Sequence, residues 1–403
     1  MRIIMILILN YTNFYIFIFI INHLKQFYLK SMKLQPLFKT FQILSVLSLI
    51  AFILLYQFGM TREGNFMVGI FFACLLIAIN ASELLKGFAF TIWVIAAACM
   101  SMIYPSYVTD IGGFKTETLI VPLIQLIMFG MGTTMGVKDF IGVLKMPKGV
   151  LIGLVLQFTI MPLVALSLTL IFTFPPEIAA GVILIGCVPC GVSSNILNFL
   201  SKGNLALSIT LTSFATLMAP FITPVLMETL AGQFIPIDTV GMMISIGKMI
   251  FLPLMAGIIF NKFFGDRSAW LNAAMPLVAM AANVFIIAVI VAAGRESLLT
   301  MGFMLFLAAV IHNGMGFALG YYGSRLFKMN KRDSRTVAIE VGLQNGGMAA
   351  GIAYELGRAA TMGLYPAIFG TWMDISGSFL ANWWRKKPVD DTEELEVSQQ
   401  VPV

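Results

Sequence analysis

CVPCGVSSNILNFLSKGNLALSITLTS, residues 187–213, and the distant IEVGLQNGG, residues 339–347, decide how this chain is read. Each sets a Gly-rich segment carrying amides, hydroxyls or a carboxylate in the middle of an apolar run long enough to cross a bilayer. Unpaired backbone at that depth costs on the order of several kcal/mol per group. Both segments therefore need a compensating partner, and a cation is the obvious one.

The composition around them agrees with a membrane interior. Of 403 residues, 59% are hydrophobic and 11% charged, with a mean hydropathy of +0.93, which leaves little for a polar surface. The chain reads as an all-α polytopic membrane protein, embedded in a lipid bilayer. Its net charge of +6 comes from Lys and Arg in short connections between apolar spans, so no nucleic-acid partner is expected. Cys74, Cys99, Cys187 and Cys190 all lie within apolar spans and say little about redox compartment.

Residues 1–31 lack the small-residue cleavage site of a secretory signal; they read as a doubtful upstream extension or as a real extra helix. After Met32, twelve apolar spans fall near 40–59, 66–85, 88–104, 117–136, 149–173, 177–200, 204–229, 239–261, 270–293, 299–326, 335–357 and 361–384. About twenty residues each suits the hydrocarbon thickness. None alternates with period two, which excludes a barrel. With a cytoplasmic N-terminus at Met32, the inside loops collect Lys138, Lys145, Lys148, Lys202, Arg325, Lys331, Arg332, Arg335 and Lys387 among others, whereas the outside loops hold Arg62, Lys115, Arg295 and Arg358. This bias sets the orientation, with the C-terminus cytoplasmic in the cell (inner) membrane. Residues 386–403 read as a disordered acidic tail.

Two helices, within 32–87, precede a core of ten. The ten divide into halves at 88–229 and 239–385, and five crossings per half make the halves opposite in membrane orientation. The fourth span of each half carries an interruption, at 189–195 and at 340–347. Broken helices at matching places in two halves are the sequence mark of a transporter site at an inverted-repeat interface.

Glu340 is the residue whose placement demands most. An acid inside a span is by default a functional-site candidate with a partner to be named; the bland reading is a helix-end Glu that reaches the interface or is protonated. Gln344 and Asn345 follow within a turn, and Gly342, Gly346 and Gly347 loosen the helix so that carbonyls can face an ion. Hard cations favour such oxygen ligands. Ser194, Asn195, Ser208 and Thr212 offer the same ligand types from the first half, and Ser208 and Thr212 share one helical face. Singly, such hydroxyls often only pack helices. Gln157 in LVLQFTIMP reads as interhelical glue, Lys248 as a snorkelling cation or a partner for an acid, and Asp374 in GTWMDISGS as a structural partner or a second functional acid.

Enzyme motifs are missing. Cys190 and Cys187 form a C-x-x-C without a second Cys or His cluster, and there is no G-x-S-x-G, H-E-x-x-H or P-loop arrangement. GMGFALGYYG, residues 314–323, suits close helix packing through its small residues. Neither an enzyme nor an organic cofactor is expected.

The run GVILIGCVPCGVSSNILNFLSKGNLALSITLTSFATLMAPFITP resembles the first signature region of the bile acid:sodium symporter family, and IEVGLQNGGMAA resembles the second. LIMFGMGTTM and QFTIMP add to the likeness, which covers about residues 88–385. The resemblance implies two inverted five-helix repeats, a core and a panel, with two broken helices crossing at the centre. It implies one sodium site at Ser194, Asn195, Ser208, Thr212 and Glu340, and a second at Glu340, Val341, Leu343, Gln344 and Gln157. The substrate pocket departs from the family pattern. Cys190, Gly191 and Val192 stand where Gly-Gly-Thr is usual, and Met373 and Asp374 where His-Asn is usual. The pocket set is then Cys190, Gly191, Val192, Ser193, Asn345 and Asp374. The expected activity is sodium-coupled symport of a small organic anion, a bile acid-like compound or short carboxylate, by a monomer; the alternative is a proton-coupled or sodium-independent transporter of another solute that uses Asp374.

Overall fold

The computed structural model describes residues 35–79, 89–136, 146–191, 193–264 and 269–387. The extension 1–31, Val192, the loop cations Lys138 and Lys145, and the acidic tail beyond 387 lie outside the described residues. The chain divides into two compact units, Met1–Trp93 and Val94–Val403.

In the first unit, α1 (Gln35–Gln57) and α2 (Thr61–Ala78) are both long and apolar enough to cross a membrane. Gly59, at φ 74°, ends α1 in the left-handed conformation that an L side chain resists, and Met60 N donates back to Leu55 O at 2.9 Å. The turn brings Phe52 against Gly64 of α2.

The unit boundary falls within α3 (Ala89–Ile103). The second unit continues through α4 (Pro105–Thr109) to a two-stranded ribbon, β1 (Asp110–Ile111) with β2 (Phe114–Lys115), which the hydropathy of the sequence did not suggest. It then runs through α5 (Ile120–Thr134), α6 (Pro147–Phe172), α7 (Pro176–Cys187), α8 (Ser193–Leu200), α9 (Leu205–Ala231), α10 (Thr239–Phe264), α11 (Ala269–Ala293), α12 (Arg295–Leu326), α13 (Lys331–Gly342), α14 (Gly346–Glu355) and α15 (Leu364–Arg385). Among the described residues eight helices are long and apolar enough to span a bilayer. Large apolar side chains such as Leu151, Leu170, Phe221 and Phe303 face outward, as they do where the surroundings are hydrocarbon. The chain is an integral membrane protein.

Two pairs of short helices occupy the middle. Every residue from Ile178 to Cys187 of α7 is buried, as is every residue from Ser334 to Gly342 of α13. For α7 this follows from an all-round apolar surface, which only protein on every side can cover. For α13 it does not, because KRDSRTVAIEVG is polar; its buried groups are met by side chains and carbonyls of neighbouring helices. Arg335 is 5% exposed and donates to the carbonyls of Ser201 and Trp384. At the far end, Glu177 of α7 accepts from Arg358 and from Thr361 Oγ1, which ties the start of α7 to the turn after α14.

The helices around this centre sort by their contacts. α6, α7, α8, α9, α12, α13 and α15 pack on one another, whereas α5, α10 and α11 form a second group in which α5 touches both of the others. The α5–α10 contact is very close: a Cβ on Gly257 would lie 2.2 Å from Phe129 O, and one on Gly132 would lie 2.2 Å from Leu254 O. Small residues on facing helices allow such an approach and the dispersion contacts it brings. α10 includes a π-helical turn, Gly247–Phe251, that carries an exposed Lys248. Lys248 makes no ion pair with Asp374 among the described residues.

Gly257→Ala is expected to push α5 and α10 apart and to lower stability by about 1–3 kcal/mol. Thermal unfolding of the purified protein in detergent measures it. Gly314→Ala, where a Cβ meets nothing within 4 Å, serves as the control and should leave the midpoint unchanged or raised.

Candidate functional site

The two helix breaks meet. α7 ends at Cys187 and α8 begins at Ser193; α13 ends at Gly342 and α14 begins at Gly346. Between them Asn345 N donates to Pro189 O at 2.8 Å, so backbone freed by one break is satisfied by the other. Gly191 is needed here, since a Cβ would sit 2.9 Å from Gln344 O. Side chains close the remaining ends. Asn313 Nδ2 donates to Gly342 O at 2.8 Å, Thr223 Oγ1 donates to Cys187 O at 2.8 Å, and Asn345 Oδ1 accepts from Met348 N at 2.9 Å as the N-cap of α14.

Glu340 lies beside this meeting point, 2% exposed. Its Oε1 is 2.5 Å from Ser208 Oγ and accepts from Asn198 Nδ2 at 3.1 Å. Its Oε2 is 2.9 Å from Thr212 Oγ1 and 2.7 Å from Cys190 Sγ. Ser208 Oγ is also 2.8 Å from Asn195 Oδ1, and Ser194 Oγ is 3.3 Å from Thr212 Oγ1. Ser194, Asn195, Ser208, Thr212 and Glu340, far apart in sequence, therefore form one cluster. All its partners are neutral, and among the described residues no ion pair reaches Glu340.

A second cluster lies on the other side of the break. Gln157 Nε2 donates to Gln344 Oε1 at 3.0 Å and to Val188 O at 3.3 Å, and Gln344 Nε2 donates to Val341 O at 2.7 Å. Leu343 has left the helix for an extended conformation, φ −100°, ψ 125°. Gln157 Oε1 is buried without a hydrogen-bond partner. A buried acceptor of that kind is costly to leave without a partner. Gln157, Val341, Leu343 and Gln344 thus come together, but the carboxylate of Glu340 makes its hydrogen bonds to the first cluster.

The residues expected around a substrate separate. Ser193 and Asp374 are neighbours, both half-buried, with the hydroxyl close to the carboxyl group. Gly191 is packed against the opposite break, Asn345 is occupied as a cap, and Cys190 points its thiol at Glu340. Met373 Sδ accepts from Gln344 N at 3.2 Å. Two residues of the carboxylate cluster were not assigned to it from sequence, Cys190 and Asn198. Asn198 stands four residues after Ser194, on the same face of α8, and that spacing was the signal available.

The profile of the Sodium Bile acid symporter family matches residues 121–301. The chain is 40% identical, over 302 residues, to the uncharacterized sodium-dependent transporter YocS of Bacillus subtilis, covering 75% of this chain and 92% of that protein. It is 31% identical over 306 residues to the probable sodium/metabolite cotransporter BASS1, chloroplastic, of Arabidopsis thaliana, covering 76% of this chain and 75% of the relative. With the probable sodium/metabolite cotransporter BASS2, chloroplastic, of Oryza sativa subsp. japonica the identity is 29% over 308 residues, 76% of this chain and 73% of that one.

Asn198→Ala is expected to cost about 1–3 kcal/mol, the usual penalty for leaving a buried acceptor with fewer donors. Asn198→Asp, which sets a second carboxylate within about 3 Å of Glu340 Oε1, is expected to cost more in sodium-free buffer. Thermal unfolding of both variants in choline chloride gives the order.

Proposed function

Since the chain belongs to the sodium bile acid symporter family, we propose that it is a sodium-coupled symporter of a small organic anion, a bile acid-like compound or a short carboxylate. The observation that carries this reading is the Glu340 cluster: a buried carboxylate ringed by hydroxyl, amide and thiol groups with no protein cation beside it. Sodium answers its charge. In this reading Ser194, Asn195, Ser208, Thr212 and Glu340 hold one ion. Gln157, with its unpartnered Oε1, holds the other together with Gln344, the carbonyls of Val341 and Leu343, and Glu340 from the first cluster.

The architecture we infer is a ten-helix core of two inverted five-helix repeats, 88–229 and 239–385, following two additional N-terminal helices. Transport proceeds by alternating access. α5, α10 and α11 act as the panel and the helices packed around α7 and α13 as the core. The packing is uneven in a way that suits this. α14 packs on α5, α10 and α11 as well as on α15 and α7, whereas α8 and α13 pack on core helices such as α9 and α15. With the basic end, including Lys331 and Lys387, on the cytoplasmic side of the inner membrane, this corresponds to a form open inward. Two sodium ions entering with a monoanion carry one net positive charge, to which the membrane potential adds about 2.3 kcal/mol per 100 mV.

The substrate meets Ser193 and Asp374 next to the α8 N-terminus, whose partial positive charge favours an anion. Asp374 supports a second reading, because among the described residues no ion pair reaches its carboxylate, which stands where a proton or a cationic group of a zwitterion is drawn.

A screen of organic acids by thermal shift, with sodium or with choline, followed by uptake of the hits into proteoliposomes, tests both. Sodium alone is expected to raise the unfolding midpoint, a true substrate to raise it further in sodium only, and Glu340→Ala to abolish both effects and uptake. Uptake indifferent to sodium overturns the first reading. Uptake driven by a pH gradient and lost in Asp374→Asn establishes the second.

A further inference from the structure

A furrow of about 820 Å³ runs between α12 and α15, its inner wall formed by Ser376 and by Asn313, which closes the α13 break. Its walls are two facing stripes at helical spacing, Gly314 and Ala318 on α12 and Trp372, Leu380 and Trp383 on α15. The furrow exists because α12 carries small residues there: a Cβ on Gly314 would meet nothing within 4 Å. From Val310 to Tyr322 it follows about 18 Å of helix at ~1.5 Å per residue. That is close to the depth of one leaflet's hydrocarbon, about half of ~30 Å. It opens beside Ile311, Met315, Leu319 and Phe379, all exposed apolar side chains, so its mouth faces the acyl region rather than water.

One end is different. There the lining holds Lys331, Arg335 and Lys387, and no acidic side chain is among the described lining residues. Arg335 is fixed at the floor by the carbonyls of Ser201 and Trp384, the latter at the C-terminal end of α15. Lys387 lies with its Nζ 3.5 Å above the Trp383 ring, and Tyr321 and Tyr322 complete an aromatic rim. An apolar channel of leaflet depth ending in clustered cations and interfacial aromatics matches one kind of molecule, with acyl chains at one end and a phosphate at the other.

We propose that this furrow binds an anionic phospholipid of the leaflet that the basic end faces. An acyl chain lies over Gly314 and Ala318, and the phosphate is held by Lys331 and Lys387 above the fixed Arg335. The site is separate from Glu340 and does not depend on the transport reading.

Native mass spectrometry of the full-length protein, released from micelles with equal amounts of phosphatidylglycerol and phosphatidylcholine, tests it. Wild type is expected to retain phosphatidylglycerol in preference, and Lys331→Gln and Lys387→Gln each to lose about fivefold of that preference, from ~1 kcal/mol per basic residue at a membrane surface. Gly314→Leu, whose Cβ meets nothing within 4 Å, projects into the furrow and is expected to abolish retention while leaving the thermal midpoint and the response to sodium unaltered. Inorganic phosphate at millimolar concentration is expected neither to compete nor to stabilise. Equal retention of phosphatidylcholine, full competition by inorganic phosphate, or retention that survives Gly314→Leu overturns the proposal. So does retention that appears only when Asp390, Asp391, Glu393 and Glu394 are replaced by amides, since the chain's own acidic terminus would then be the occupant.

Discussion

The carboxylate of Glu340 and the two helix breaks require each other. A negative charge at such burial is tolerated only where donors are abundant, and a continuous helix offers none from its backbone. Breaking α7 and α13 and letting the breaks meet brings Ser208, Thr212, Asn198 and Cys190 to within hydrogen-bonding distance of one side chain. The breaks in turn are closed by each other, through Asn345 N and Pro189 O, and by the caps from Asn313, Thr223 and Asn345. Among the described residues the buried side-chain polar groups are thus nearly all matched, and two oxygens are left over, Gln157 Oε1 beside Gln344 and Oδ1 of Asn198, whose amide donates to Glu340.

This arrangement divides what is rigid from what is free to slide. The helices around Glu340 are held by hydrogen bonds that run across α7, α8, α9 and α13, with the Glu177–Arg358 pair fixing the opposite end of α7. α5 and α10 are held by a different means, backbone lying on backbone at Gly132 and Gly257. Polar networks have one satisfied geometry, and glycine contacts admit little adjustment, so each group keeps its own shape. The groups touch directly where α9 packs on α10, and also through α14, an apolar helix that packs on both.

Much of this was legible in the sequence, for specific reasons. The breaks are marked by Pro189, Gly191, Gly342 and Gly346, and the apolar lengths fix most helices to within a few residues. Glu340 stood out because charge inside a span has few bland explanations. What stayed hidden depended on tertiary placement. Asn198 had no Pro or Gly beside it to draw notice, although its spacing from Ser194 put it on the right face. Cys190 was assigned to the substrate side, but a thiol one residue from Gly191 turns to the carboxylate once the breaks cross. Asn345 was expected to face a ligand, yet its own helix terminus lies three residues away and takes its oxygen first. The polar start of α13 gave no sign of burial, because hydropathy does not distinguish water from the carbonyls of Ser201, just after α8, and Trp384 of α15 that receive Arg335.

In the proposed reading the residues at Ser193 and Asp374 carry an electrostatic tension of their own. An ionised Asp374 beside Ser193 repels a substrate carboxylate at the same place, and in partly desolvated surroundings two like charges within about 4 Å oppose each other by around 4 kcal/mol. The α8 N-terminus offsets only about 0.3–1 kcal/mol of that. Under the proposed function, a simple anion would bind there only with Asp374 protonated or with a cation interposed, while a solute bearing an ammonium group beside its carboxylate would meet both charges in favourable order. In that reading the two polar clusters constrain what drives transport, and this single acid constrains what is carried.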